Sequence, residues 1–312
     1  MMRITVTGAT GLIGTRLVSA LLERGDEVTV LSRRPEDARR ILGVEAIGWR
    51  TEAEPAPVEA LAAADGVVHL AGESIAQRWT PESKERIRSS RELGTAQLIE
   101  GMKQANARPR VLVSASAVGY YGPQGAARLD ESAAPGSGFL ARVCEAWERA
   151  VFAASELGVR VVSLRTGVLL DRADGGLARM LPVFRLGLGG PVAGGHQYLS
   201  WITPDDLVRM YTAALDDPQW LGPINATAPE PVTNREFARA LGRVLHRPAL
   251  LPVPAFALRV LYGDKASVVT TGQRAIPARA TAHGFKFQHG TIHSALAAAL
   301  GSSRTVGVER VD

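Results

Sequence analysis

Thr7-Gly8-Ala9-Thr10-Gly11-Leu12-Ile13-Gly14 constrains this chain more than any other stretch. It follows Arg3–Thr7, a run that reads as a strand. It opens Leu12–Arg24, whose apolar positions recur at the three- and four-residue spacing of a helix. In such a strand-turn-helix Gly8 permits the tight turn, Gly11 lets the backbone approach a pyrophosphate, and Gly14 lets helix and strand pack closely. Free N–H groups at the helix start, with the positive end of its dipole, then hold phosphate. The glycine string alone carries little weight; placed between strand and helix it is a strong signal. Gly8, Thr10, Gly11, Leu12, Ile13 and Gly14 are therefore candidate cofactor contacts.

The same alternation continues along the chain. Glu27–Leu31, Gly66–Leu70, Arg110–Ala115 and Val159–Leu164 read as strands, Pro81–Gln104 and Phe139–Leu157 as helices. Strands alternating with helices give a parallel sheet covered on both faces, and right-handed crossovers make it doubly wound. The expected fold is α/β, with a Rossmann doubly wound parallel sheet over residues 1–170 and a return segment near 203–226. After Leu170 the pattern changes. Asp171–Gly195 is glycine-rich around a helical piece at Leu177–Leu186, Pro223–Pro231 and Pro248–Pro254 are proline-punctuated, and Thr233–Leu245 and Thr291–Leu300 look helical. Residues 171–202 and 227–312 are expected to form a smaller C-terminal substrate lobe. It would close over the sheet's carboxyl edge, where open α/β sheets bind ligands.

The second strand ends in Ser32-Arg33-Arg34. An NAD site usually carries Asp or Glu here to bind the ribose 2′-hydroxyl. A hydroxyl and two guanidiniums suit a 2′-phosphate instead, because arginine pairs bidentately with phosphate. The expected cofactor is NADP(H). Leu70, Ala71 and Gly72 end the next long strand with small residues that let the backbone pass close to it.

Composition narrows the partners. The net charge of +5 is mild and the basic residues are scattered, so no nucleic-acid partner is expected. Cys144 is the one cysteine, which excludes a disulfide framework. There is no signal-peptide pattern, and no apolar run approaches the roughly 20 residues of a membrane helix. The reading is a cytoplasmic protein without a membrane partner, monomer or homodimer, acting on a small molecule. His289 and His293 share helical spacing but have no third ligand, so no metal is expected.

Several stretches together carry a resemblance. They are Ala71-Gly72-Glu73-Ser74-Ile75, Ser89-Ser90-Arg91, Ser114–Gly122, Cys144-Glu145-Ala146-Trp147-Glu148, Leu164–Leu169, Gly187–Gly190, Ser200-Trp201-Ile202, Asn225–Pro231 and Gly284-Phe285. Through them the sequence resembles, nearly end to end, the extended short-chain dehydrogenase/reductase superfamily. More narrowly, it is similar to the atypical "epimerase family" subgroup of YfcH-like and SDR39U1-like proteins. The resemblance implies a Rossmann domain, NADP(H) and a C-terminal lobe; it brings no substrate.

The resemblance also implies an Asn-Ser/Thr-Tyr-Lys tetrad, from which this sequence departs. Only Ser116 has a clear counterpart. The Asn position, three residues before Gly94, is Arg91. In the helix that should carry Tyr-x-x-x-Lys, anchoring on Phe139 puts Val143 at the Lys position, and anchoring on Leu140 puts Cys144 there. Neither register supplies Tyr or Lys. A tyrosine near its ordinary value of about 10 is a poor base at neutral pH without a nearby cation. Tyr121, or else Tyr120, is expected to supply the hydroxyl and Arg91 the charge. Arg165-Thr166-Gly167-Val168 is expected to meet the nicotinamide with backbone groups, and Trp201 to offer the substrate a stacking face. The functional expectation is an NADP(H)-dependent oxidoreductase or epimerase-like enzyme; the alternative is a non-catalytic NADP(H)-binding sensor or regulatory protein.

Overall fold

The computed structural model describes residues 1–301; the segment 302–312, assigned above to the second lobe, lies outside the described residues. Seven strands form the central sheet: β1 (Arg3–Thr7), β2 (Glu27–Ser32), β3 (Glu45–Gly48), β4 (Gly66–His69), β5 (Val111–Ala117), β6 (Arg160–Thr166) and β7 (Gly222–Ala226). Their order is β7-β6-β5-β4-β1-β2-β3 and every pairing is parallel. The order reverses between β1 and β4, which opens a crevice at their carboxyl ends. The sheet is the doubly wound one that the alternation predicted.

Helices cover both faces. Packed on the sheet are α1 (Leu12–Glu23), α2 (Pro35–Leu42), α3 (Val58–Ala62), α4 (Pro81–Gln104), α5 (Phe139–Phe152) and α7 (Pro204–Asp216); the chain also forms α6 (Gly175–Arg185), α8 (Asn234–Leu245) and α9 (Ala255–Tyr262), short helices at Ser267–Thr270 and Ala278–Ala282, and a last helix at Ile292–Gly301. On one face Leu17, Val18 and Leu21 of α1 meet Met210, Tyr211 and Leu215 of α7 over the β1 and β6 side chains. On the other, Leu98 and Met102 of α4 meet Trp147 and Val151 of α5 over β5. Both α4 and α7 begin at a capping signal that the sequence carries. Thr80 and Thr203 accept first-turn N–H groups, each followed by a proline at the first helical position.

The sequence reading missed α2, α3, α7, α9, β3 and β7. Strand β7 hides in a proline-punctuated stretch, but it lies at the sheet edge, where Pro223 removes no ladder bond that a neighbour needs. Beyond the sheet a separate apolar cluster joins Leu177, Leu181 and Phe184 of α6 to Phe237 and Leu241 of α8 and to Leu296. Short strand pairs, Val168–Leu169 with Trp201–Ile202 and Tyr198–Leu199 with Val232–Thr233, lead into that cluster. Among the described residues no helix is long and apolar enough to cross a membrane, and no group of His, Cys, Asp and Glu could hold a metal ion.

Candidate active site

The glycine turn lies in the crevice. Gly8 has φ +69°, and a Cβ there would stand 2.7 Å from the backbone of Leu70 and Ala71. The end of β1 and the end of β4 thus touch, and only glycine fits between them. A Cβ on Gly14 would lie 2.5 Å from the Gly8 carbonyl oxygen, so this residue too is fixed by packing. Gly11 differs. It caps α1 with no side-chain hydrogen bond, and both it and Thr10 are exposed, with Leu12 and Ile13 half-buried behind them. The helix start therefore presents bare backbone to the crevice. Gly11→Val should abolish cofactor binding while leaving the melting temperature within a few degrees, whereas Gly14→Ala should lower the melting temperature itself. Calorimetric titration and thermal melts of both variants check this contrast.

His69 supports the turn from beneath. Its Nδ1 lies 2.8 Å from Thr7 Oγ1 and its Nε2 3.2 Å from Thr95 Oγ1. Burial, with Arg91 adding to it, pushes the imidazole down to about 4, so the ring is neutral at pH 7. Thr7 Oγ1 also accepts the Ala71 N–H at 3.2 Å. At the end of β2, Ser32 Oγ accepts the Arg34 N–H at 3.1 Å. Arg34 reaches Asp37 at 3.6 Å, an exposed pair of little energetic weight. Arg33 is exposed and makes no ion pair or side-chain hydrogen bond among the described residues.

The catalytic expectations meet a different arrangement. Register pairs Ser116 of β5 with Arg165 of β6, and Arg165 with Asn225 of β7. Laterally paired residues share a face, so the three side chains form one row beneath α5. Glu148 of α5 closes over that row. Its Oε1 accepts the Ser116 hydroxyl at 2.7 Å and Arg165 Nε at 2.9 Å, and its Oε2 accepts Arg165 Nη2 at 2.7 Å. The pair is almost fully buried, with side-chain exposures of 3% and 6%. The Glu148 and Tyr121 partners hold the Arg165 guanidinium charged although burial opposes that charge.

The two tyrosines separate. Tyr121, the favoured phenol, is wholly buried. Its hydroxyl accepts Arg165 Nη1 at 2.9 Å and lies 2.7 Å from Asn225 Oδ1 and 3.1 Å from the Asp130 carbonyl oxygen. Burial pushes its pKa up to about 12. Tyr120 is half-buried and lays its ring on the guanidinium of Arg165, 3.6 Å from centroid to Cζ. Burial raises its pKa, and Arg165 is the largest opposing influence. The cation beside the tyrosines is thus Arg165, and Arg91 lies elsewhere. Arg91 stacks over Trp147 at 5.0 Å, donates to the Glu73 and Ile87 carbonyls, and underlies Gly72, whose added Cβ would stand 3.2 Å from its Cζ.

Other expected contacts are differently occupied. The Arg165 side chain turns to Glu148. The N–H groups of Gly167 and Val168 already donate to Ala226 and Ser200, and a Cβ on Gly167 would lie 2.5 Å from the Ser200 carbonyl. Thr166 Oγ1 donates to the Leu164 carbonyl at 3.2 Å. Trp201 is fully buried in the lobe cluster and donates its indole N–H to the Glu230 carbonyl, which leaves no face for a substrate. Cys144 is buried, and its thiol is pushed up to about 12 by burial, so it is inert. Glu148 did leave a trace in sequence, as a glutamate on a helix face otherwise made of Val143, Cys144 and Trp147. Asn225 stood in the sequence only as the start of a resemblance stretch, and Glu131, which accepts the Asn225 N–H at 3.0 Å, left no trace.

Comparison with known proteins gives a consistent picture. A family model described as "NAD dependent epimerase/dehydratase family" matches residues 4–225, and a "Domain of unknown function (DUF1731)" matches residues 253–299. The chain is 42% identical to the chloroplastic epimerase family protein SDR39U1 homolog of Arabidopsis thaliana, covering 95% of this chain and 86% of that protein. It is 41% identical to the epimerase family protein Mb2239 of Mycobacterium bovis, covering 94% and 96%. The crystal structure of human epimerase family protein SDR39U1 (isoform 2) with NADPH superposes with a TM-score of 0.85 at 35% identity, covering 96% of this chain and 99% of that one.

Proposed function

The chain belongs to the NAD dependent epimerase/dehydratase family, and on that basis we propose that it is an NADP(H)-dependent oxidoreductase of epimerase-like architecture, acting on a small molecule in the crevice between β1 and β4. The residues present fit the cofactor. Gly8, Gly11 and the uncapped start of α1 would hold the pyrophosphate, with Thr10, Leu12 and Ile13 around it. Ser32 and the unpaired Arg33 would hold the 2′-phosphate, with Arg34 beside them, and Leu70, Ala71 and Gly72 would line the crevice. When bound, the nicotinamide supplies or accepts a hydride.

The chain's own part is proton transfer and orientation, arranged without Tyr-x-x-x-Lys. One observation carries this reading: the half-exposed Tyr120 ring rests on Arg165, and Arg165 is locked by Glu148. Tyr120 takes the acid/base role and Arg165 the place of the lysine. Because its pKa is raised, Tyr120 keeps its proton at pH 7 and acts first as an acid, donating to a substrate oxygen. Ser116 gives its one proton to a carboxylate, so it offers lone pairs to the crevice and orients a substrate hydroxyl by accepting from it. Tyr121 and Asn225 hold Arg165 in place, and Arg91 supports the loop at Gly72. The absence of Tyr and Lys from α5 favours the competing reading, a non-catalytic NADP(H)-binding protein.

The cofactor half of the proposal is tested at Arg33. Charge-assisted hydrogen bonds contribute roughly 1.5–3 kcal/mol. Arg33→Ala should therefore weaken NADPH binding about 10- to 100-fold and leave NADH nearly unchanged in calorimetric titration. Equal affinity of the unaltered protein for both cofactors would sink the 2′-phosphate assignment.

A further inference from the structure

The second lobe carries a surface that the cofactor chemistry does not use. Segments 175–203 and 237–263 contain Arg179, Arg185, Arg239, Arg243, Arg247 and Arg259 and not one Asp or Glu. The whole chain has 31 acidic residues against 36 Lys and Arg, so the stretches between the bordering Asp174, Glu236 and Asp264 are locally basic, with Glu236 the acidic neighbour of Arg239. None of these arginines forms an ion pair among the described residues. The same segments expose Leu186, Leu188, Leu250, Leu251, Phe256 and Val260, with Leu250 at 79%, Phe256 at 70% and Val260 at 83%.

The two segments lie side by side. The Leu251 N–H donates to the Gly189 carbonyl at 3.2 Å and the Ala193 N–H to the Val253 carbonyl at 2.9 Å. Arg247 Nε donates to the Arg185 carbonyl at 3.0 Å. Arg239, Arg243, His246 and Leu250 help to line an open groove of about 440 Å³. A short way along the chain, Phe256 and Val260 stand one turn apart on the outer face of α9, while Leu258 is buried.

We infer that this face docks the protein onto an anionic lipid surface. Unpaired arginines beside exposed aliphatic and aromatic side chains match the two layers of such a surface: charged headgroups outside and acyl chains just beneath. A nucleic acid would use the arginines but leave Leu250, Phe256 and Val260 in water. A second copy meeting this face across a twofold axis would set arginine against arginine. Neither explains the charge and the apolar surface together. Docking of this kind needs no spanning helix, so the earlier expectation of no membrane partner is revised only for peripheral contact.

The test sediments the full-length chain with phosphatidylcholine vesicles, with and without phosphatidylglycerol, at low and high salt. The protein should pellet with the anionic vesicles at low salt, stay free of the neutral ones, and be released by salt. Arg239→Glu with Arg243→Glu should lower the vesicle affinity about tenfold or more. Phe256→Ser with Val260→Ser should lower it by a similar factor, and both double variants should keep the parental melting temperature, since these positions are exposed. No pelleting with anionic vesicles at low salt would overturn the inference. So would equal binding to both vesicle types, or charge-reversed protein that binds like its parent. Self-association lost in the Phe256 and Val260 variant, without vesicle binding, would assign the face to a second copy and overturn it as well.

Discussion

Tyr120→Phe should lower turnover by about 10²- to 10⁴-fold, the usual worth of a positioned general acid, and leave NADPH affinity unchanged. The phenol oxygen is all that this change removes; the ring still rests on Arg165. Tyr121→Phe makes a useful contrast. Its hydroxyl is sealed among Arg165, Asn225 and Asp130, so the loss should appear mainly as destabilisation, about 1–3 kcal/mol for the unpaired groups left behind. The pH profile carries the same sign. A raised phenol pKa keeps the acid form through neutrality, so kcat/KM for reduction should stay level until the pH passes the ordinary tyrosine value of about 10. A fall between pH 6 and 8 that disappears in Tyr120→Phe would instead mean a lowered pKa and a different neighbour. Unchanged turnover in Tyr120→Phe would remove the acid role and favour the non-catalytic reading.

Arg165→Met should destabilise the fold by about 3–5 kcal/mol, read as a shift of the urea midpoint, because it strands the Glu148 carboxylate in a buried site. Glu148→Leu should cost a similar amount by stranding the guanidinium. The double variant should be milder than the sum of the two, since replacing both members of a buried pair with apolar groups leaves no orphaned charge. Surface pairs set the scale of comparison. Removing the exposed Arg34–Asp37 contact should change stability by less than about 1 kcal/mol. A single-site loss at Arg165 as small as that would mean water reaches the pair, and the locked cation beneath Tyr120 would go with it.

The half of the protein around the glycine turn was legible because its residues are constrained locally. Gly8, Gly14 and the alternation around them follow from backbone geometry within a few residues, and β1, α1 and α4 appeared almost to the residue. The row of Ser116, Arg165 and Asn225 beneath α5 was less legible, for a physical reason. Arg165 reads as the end of a strand, and nothing in the sequence says which side of the sheet its guanidinium takes. That is set by register with Ser116 and Asn225, residues 49 and 60 positions away, and by Glu148 descending from α5. Arg91 seemed a substitute cation because it stands at a family position, yet its guanidinium is drawn to Trp147 and the Glu73 carbonyl. Trp201 seemed a stacking face because aromatics beside a crevice are suggestive. The lobe cluster claims it wholly, which only packing could reveal.

A crystal structure of the protein soaked with NADPH tests the central claim most directly. The account predicts the 2′-phosphate against Arg33, the pyrophosphate on the Gly8–Gly11 turn, and the nicotinamide facing Ser116 and Tyr120, with the Tyr120 hydroxyl in hydrogen-bond reach, about 3 Å, of an oxygen placed beside the hydride-bearing carbon. A nicotinamide lying away from Ser116 and Tyr120, or a 2′-phosphate in solvent with Arg33 unengaged, would contradict it.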